Sequence, residues 1–340
     1  MQHEVTVIQD LLDSNGHLRE PGWAKKPVFN YRRKDIKASR FRIKEWDYYL
    51  ILNDHHAIAL TLADNSYMGM ISASVLDFDS GTEHTGSIMT AFPMGKFKMP
   101  ETADESHCHF ENKRAKVDFL ATEGTRTIFF EYKNFWGGKD LHAEFTLTQP
   151  FEDRIVIATP WKEDPKAFYY NQKINCMPAK GFYTLGDHRV DFHESDTFGT
   201  LDWGRGVWTR DNTWYWGSGN GWVEGGRFGF NFGYGFGDTS AATENALLYE
   251  GMLTKVDEVK FLPSDPDHLL MPWRIESNDD RVDLDFSPIL DRAAAINALI
   301  LSTDQHQVFG RVSGNVLLEN NRRLDIRDLT CFFEIVHNVY

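Results

Sequence analysis

Polar and apolar positions alternate with a period of two over much of this chain. Leu141, Ala143, Phe145 and Leu147 alternate with His142, Glu144 and Thr146, and Val282, Leu284 and Phe286 alternate with Asp283 and Asp285. Ala115, Val117 and Phe119 alternate with Lys116 and Asp118. Successive side chains of a strand point to opposite faces, so the pattern predicts antiparallel strands with one dry and one wet face. Tyr48–Leu52, Ala57–Leu62, Ile128–Tyr132 and Phe332–Val336 have strand composition as well. Asn15-Gly16, Ser80-Gly81, Gly137-Gly138 and Gly186-Asp187 supply turns between such runs. Many short strands with close turns predict a sandwich or barrel rather than βαβ units. Helical signals are sparse. Ile289–Leu301 fits either a helix of about three turns or a buried strand, and Thr239–Tyr249 has room for one short helix. Trp161–Ala167 and Pro263–Pro272, rich in proline and charge, read as connections.

A length of 340 residues allows two ordinary domains or one large one. The net charge of −14 argues against non-specific nucleic-acid binding. No apolar stretch approaches the roughly 20 residues needed to cross a bilayer. Met1–Asp10 shows neither a basic nor an apolar region of a secretory signal. Cys108, Cys176 and Cys331 are too scattered for a disulfide framework and read as buried thiols, so a cytoplasmic location is expected. Charge is uneven. Residues 25–44 hold nine basic side chains against the single acid Asp35, a net +8. Such a run could attract an anionic group, but a solvated face pairing with acids elsewhere is favoured.

The most unusual segment is Leu201–Asp238. Phe228, Phe230, Phe232, Tyr234 and Phe236 fall on one face of an extended strand, and Gly229, Asn231, Gly233, Gly235 and Gly237 on the other. A face stripped of side chains lets another backbone or a flat ligand approach. Trp214 and Trp216 share a face of their own strand, with Trp203, Trp208 and Trp222 near in sequence. The rings either fill a barrel wall or line a pocket for a lipophilic ligand. Asp202 sits between Leu201 and Trp203. In an apolar site its neutral form is favoured and it becomes a candidate acid, whereas pairing with Arg205 would make it structural.

Other chemistry has weaker support. Gly217-Ser218-Gly219-Asn220-Gly221 lacks G-x-G-x-x-G spacing, and no phosphate-binding loop or nucleophile elbow occurs, so no cofactor is expected. His107 and His109 would share a face of a strand and can begin a zinc site. A third ligand must come from elsewhere, with His84 only a guess, so a solvated surface is favoured and no metal is expected.

Six blocks together resemble the domain-of-unknown-function 2804 family: LLDSNGHLREPGWAKKPVFNY at Leu11–Tyr31, IKEWDYY at Ile43–Tyr49, FYYNQKINCMPAKG at Phe168–Gly181, LDWGRGVW at Leu201–Trp208, WYWGSGNG at Trp214–Gly221 and FGFNFGYGFGDTSAATEN at Phe228–Asn245. The order of features is also similar to the carotenoid 1,2-hydratase and tocopherol cyclase-like double-lipocalin group, which includes decalin-forming Diels–Alderases. The matching positions are Tyr169-Tyr170-Asn171, Asp202-Trp203-Gly204, Trp214-Tyr215-Trp216 and Gly310–Gly314. In that group residues including a Glu or Gln separate the Asp from the Trp, whereas here Trp203 follows Asp202 directly. The likeness implies two lipocalin-like antiparallel barrels side by side and a lipophilic or polyene ligand. It sets the first barrel at residues 1–192 and the second at 198–340.

The sequence thus predicts an all-β, two-barrel protein with a lipophilic ligand in a barrel pocket. That ligand would be hydrated, cyclised, isomerised or merely carried. The expected site is Asp202 as the acid, with Tyr170, Asn171, Trp203, Arg205, Trp208, Trp214, Trp216 and Asn231 around the ligand. A carbohydrate-binding or carbohydrate-processing protein is the alternative, since tryptophan faces also stack on sugars. Asp202 with Glu224 or Glu244 would then be the carboxyl pair.

Overall fold

The computed structural model describes residues 2–298 and 301–339 and is built almost entirely of strands, with two short 3-10 turns. The chain folds into two curled antiparallel half-barrel sheets of the lipocalin-like kind. The first sheet runs, neighbour to neighbour, through Thr82–Ala91, Met68–Asp77, His56–Asp64, Ile43–Leu52, Phe198–Val207, Phe168–Leu185, Lys139–Thr148, Thr125–Trp136, Ala115–Thr122 and Ser106–Glu111. The second runs through Met252–Lys255, Ala246–Tyr249, Gly226–Tyr234, Asp211–Val223, Arg323–Val339, Leu301–Leu317, Val282–Ala298, Trp273–Ser277 and Val259–Pro263. Phe198–Val207 pairs on both sides within the first sheet, with Ile43–Leu52 and Phe168–Leu185. The chain passes to the second sheet just after Val207.

Period two decides where each side chain goes. In the first sheet Tyr49, Ile51, Leu60, Leu62, Tyr170, Ile174, Leu201 and Trp203 point into the half-barrel and form its core. In the second, Phe230, Phe232, Phe261, Phe286 and Phe333 do the same, with Phe230 on Phe232 at 4.7 Å and Phe286 on Phe333 at 4.8 Å. Phe228, Phe230 and Phe232 are completely buried there, so this length of the ring-bearing ribbon is a solid wall. Its glycine face meets protein: a side chain at Gly229 would strike the Cys176 thiol, and one at Gly233 would strike Glu244. Asn175 on the first sheet donates to the Phe230 carbonyl at 3.3 Å across that close approach.

The outer faces of the two sheets pack together through Tyr48, Leu50, Leu52 and Phe78 on one side and Trp216, Phe309 and Phe332 on the other. The region around Ile289 is strand, pairing through Ala298 with Leu301–Leu317, and residues 299 and 300 lie outside the described residues. The paired neighbour settles a choice that apolar composition left open. Ala246–Tyr249 is also a strand, edge-paired to Gly226–Tyr234 and Met252–Lys255, and the residues before it are turn and coil. Ladder hydrogen bonds on both sides outweigh its helix-tolerant composition.

The basic segment is largely consumed by ion pairs. Lys26 meets Asp153 at 3.3 Å, Arg32 meets Asp10 at 2.8 Å and Asp35 at 2.7 Å, and Arg42 meets Asp164 at 2.6 Å. Arg33 pairs with the buried Glu45. All three cysteines are buried free thiols. Among the described residues no helix is long and apolar enough to cross a membrane.

Candidate functional site

Where the packing between the sheets opens, it leaves a cleft of about 380 Å³. Its walls come from the outer faces of both sheets, so it lies outside both half-barrel cores. One wall carries Trp46, Tyr48, Thr61 and Ala63 with the methionines Met68, Met70 and Met89. The other carries Trp214, Trp216, Arg292, Gln305 and Glu334, with Trp208 and Phe236 between the two. The rings interlock edge to face: Trp208 lies 5.2 Å from Trp46 and 4.8 Å from Phe236, and Trp214 lies 5.5 Å from Phe236. Flexible thioethers against fixed rings suit an irregular lipophilic guest.

The floor is polar. The Phe168–Leu185 strand brings Tyr169, Asn171 and Lys173 to the cleft face by its period of two, and Phe198–Val207 places Asp202 across from Lys173. The Lys173 ammonium lies 3.0 Å from Asp202 Oδ1 and 3.9 Å from Glu244 Oε2, and 3.9 Å above the Trp216 ring. Asp202 also accepts from Asn171 Nδ2 at 2.5 Å and from Trp46 Nε1 at 3.1 Å. Tyr169 donates its hydroxyl to Glu244 Oε2 at 3.3 Å. From the second sheet, Glu334 accepts from Trp214 Nε1 at 2.8 Å and Gln307 Nε2 at 3.1 Å.

Three carboxyls therefore surround one buried ammonium. Burial raises the pKa of both Glu244 and Glu334 above the ordinary glutamate value, and the charge of Asp202 adds to the rise. Lys173 offsets part of it in each, and Tyr169 opposes it at Glu244. The two glutamates differ in their free lone pairs. Both oxygens of Glu334 accept N–H bonds, while among the described residues no hydrogen bond reaches Glu244 Oε1. At the cleft mouth, burial pushes Lys44 down to about 7, with Arg42 adding to the effect.

The structure divides the sequence-expected residues into two groups. Asp202, Trp208, Trp214 and Trp216 line the cleft, and Asn171 holds Asp202 from beneath. Asn231 acts behind the lining, accepting from Trp216 Nε1 at 2.8 Å and donating to the Glu244 carbonyl at 2.9 Å. Trp203, Arg205 and Tyr170 point the other way, into the first half-barrel. Arg205 is held there by Asp47 at 3.0 Å and by the carbonyls of Trp46 and Pro100, so it does not pair with Asp202. The physical reason is parity, since a neighbour in a strand sequence belongs to the opposite face. Glu224 lies away from the cleft, paired with Arg322 at 2.9 Å.

Sequence reasoning missed Lys173, Glu334, Arg292, Tyr169 and Trp46. A usable signal existed for two of them. Lys173 in FYYNQKINCM is the one charge in a strand otherwise of rings, amides and apolar residues, and Glu334 in CFFEIV is an isolated charge in a strongly apolar one, and a buried charge needs a partner or a purpose.

Fold and site define a double half-barrel protein with a ring-lined, acid-floored cleft between its sheets. The chain belongs to the family described as domain of unknown function 2804, whose model matches residues 2–340. It is similar in structure to CghA solved with Sch210972, with 12% identity, a TM-score of 0.54 and coverage of 98% of this chain and 97% of that one. It is also similar to an AttH-like protein from Nitrosomonas europaea, with 11% identity, a TM-score of 0.54 and coverage of 91% and 97%. Kievitone hydratase from Nectria haematococca aligns more loosely, with 10% identity and a TM-score of 0.46 over 87% and 88% of the two chains. No curated protein matches the chain.

Proposed function

We propose that this protein binds a lipophilic, unsaturated small molecule in the cleft and moves a proton to or from it. The observation that carries the reading is the buried Lys173 ammonium shared by Asp202 and Glu244 beneath a roof of rings. An alkene is protonated only by an acid that is neutral and dry, and on the cleft floor Glu244 is the candidate. Burial raises its pKa, and among the described residues no hydrogen bond occupies its Oε1, which lies against Gly233. Asp202 lies closer to Lys173, at 3.0 Å against 3.9 Å for Glu244, and is its nearer ion-pair partner.

The step is simple to balance. Glu244 gives its proton to one alkene carbon, and the neighbouring carbon becomes cationic under the Trp208, Trp214 and Trp216 rings. Each ring contributes on the order of 0.5–2 kcal/mol to that charge. Capture by water, with loss of the water's proton to the glutamate, is hydration. Loss of a proton from the adjacent carbon to the glutamate is isomerisation, and attack by a second alkene, followed by loss of a proton from the new cation to the glutamate, is cyclisation. The fold shared with the CghA structure, which was solved with Sch210972, supports a small-molecule guest.

Glu244→Gln tests the reading. It keeps the shape and the Tyr169 contact but removes the acidic proton. All-trans-retinol serves as the binding probe, and lipid extracted from freshly purified protein serves as the substrate source. The expected result is retinol binding within a factor of two of wild type, with turnover of the extracted compound reduced at least about 100-fold. Unchanged turnover with intact binding would remove Glu244 as the acid, retinol binding with no turnover in either protein would leave a carrier, and failure of both proteins to bind retinol or retain any lipid would remove the site.

A further inference from the structure

We propose that His107, His109 and Asp118 form a divalent transition-metal site on the outer face of the first sheet, remote from the cleft. Ser106–Glu111 and Ala115–Thr122 pair as a hairpin in which His109 faces Asp118 and His107 faces Leu120. Period two turns both imidazoles outward and Cys108 inward, where its thiol meets Asp47 at 3.2 Å. His107 Nε2 and His109 Nδ1 approach the same oxygen, Asp118 Oδ1, at 2.8 and 2.7 Å. One ligand atom from each residue lies within 4.8 Å of the other two.

Two imidazoles and a carboxylate bind a borderline metal at about 2.0–2.2 Å, with donor atoms somewhat over 3 Å apart for tetrahedral geometry. The three groups need to open only slightly around an ion of this kind. His109 adds a second favourable feature. With Nδ1 toward the metal, its Nε2 lies 4.0 Å from Glu111 Oε2, outside hydrogen-bond distance but near enough for a side-chain rotation to bring in the carboxylate that orients metal-bound histidines. His84, the third ligand that sequence alone left as a guess, instead stacks on Trp136 at 4.6 Å.

The donor set suits Zn²⁺, Ni²⁺ or Cu²⁺ rather than Mg²⁺ or Ca²⁺, which take oxygen ligands. About half of each imidazole is exposed, so the remaining coordination positions open to solvent. A groove with Glu144, Lys180 and Phe182 adjoins His107 and Asp118, and an outside ligand reaching the metal would lie along it. The same sheet face supplies its own control. His142 lies 2.9 Å from Glu144 and 3.6 Å from Glu131, and among the described residues no second imidazole completes a three-ligand group there.

The experiment is titration of chelator-treated full-length protein with Zn²⁺ by calorimetry and with Cu²⁺ by electron paramagnetic resonance. The expected result is one equivalent bound and hyperfine splitting from two nitrogens. H107A/H109A should lose at least about 100-fold in affinity, Glu111→Gln about 10-fold, and His142→Ala nothing. His107, His109 and Glu111 are exposed and His142 is half-buried on the outer face, so circular dichroism of the variants should match wild type. Binding that survives H107A/H109A, that falls equally in His142→Ala, or that never reaches one equivalent would overturn the site.

Discussion

The second half-barrel core and the cleft are both built from aromatic rings, yet one is closed and the other open. In the core, Phe333 meets Phe230, Phe261, Phe286 and Trp273 within 4.7–6.2 Å, with no ionisable group among them. In the cleft, Trp208, Trp214, Trp216 and Phe236 stand around Lys173, Asp202, Glu244 and Glu334. Rings facing rings fill space to crystal-like density. Rings facing a charged cluster stop short, because the polar groups need partners that hydrocarbon cannot provide. Both regions are rich in rings; Trp46, Trp214 and Trp216 reach the cleft by the parity of their strand positions, whereas Trp208 and Phe236 reach it from just past the strand ends at Val207 and Tyr234.

The largest effect expected from this contrast is on the closed side. Phe333→Ala removes the hub of the ring cluster and should lower unfolding free energy by up to about 5 kcal/mol. Trp214→Ala, half-buried at the cleft wall, should lower it by no more than about 1–2 kcal/mol while weakening retinol binding. Denaturant unfolding of both variants checks the pair. Equal losses would mean the cleft rings are as structural as the core.

How much was legible follows the same parity. Alternation in Ala115–Phe119, Leu141–Leu147 and Val282–Phe286 is the sheet pattern itself, so strands and fold class could be read directly. Asp202, Trp208, Trp214 and Trp216 stood out because a charge among rings is rare. Trp203 and Arg205 looked equally good, since sequence adjacency hides the face a residue occupies until strand pairing is known. Glu334 and Lys173 were harder still. They lie 161 positions apart and meet only because the outer faces of two different sheets come together. No local pattern encodes that approach. The glycine face of Phe228–Phe236 hinted at a close neighbour, but the neighbour proved to be the strand around Asn175 rather than a ligand.

The next effect lies on the polar side. Lys173→Met leaves Asp202 buried beside Glu244 without a cation, and should cost about 3 kcal/mol. Adding Asp202→Asn should recover part of that loss, because the pair rather than either charge is what the fold tolerates. Equilibrium unfolding of wild type, both single variants and the double variant forms a complete cycle. Additive losses would mean that Lys173 and Asp202 are solvated separately and that no shared cluster exists.

The smallest effect has the opposite sign and a pH signature. Lys44 is buried at the cleft mouth, its ammonium donating to the Asn65 carbonyl at 3.2 Å and lying 4.0 Å from the Tyr67 ring. Burial first, and Arg42 second, bring its pKa down to about 7. In the unfolded chain a lysine titrates near 10.4. Between these values the unfolded state carries a proton that the folded state lacks, so stability from this site rises with pH. The contribution is complete above about 10.4 and lost as pH falls through about 7. Lys44→Met has no such proton to lose. It should therefore be more stable than wild type at pH 6, by about 1–2 kcal/mol after allowing for the contacts with Asn65 and Tyr67. The two proteins should converge by pH 10. Parallel stability curves across that range would show that the ammonium keeps its water, and that the cleft mouth is wetter than its ring-lined interior.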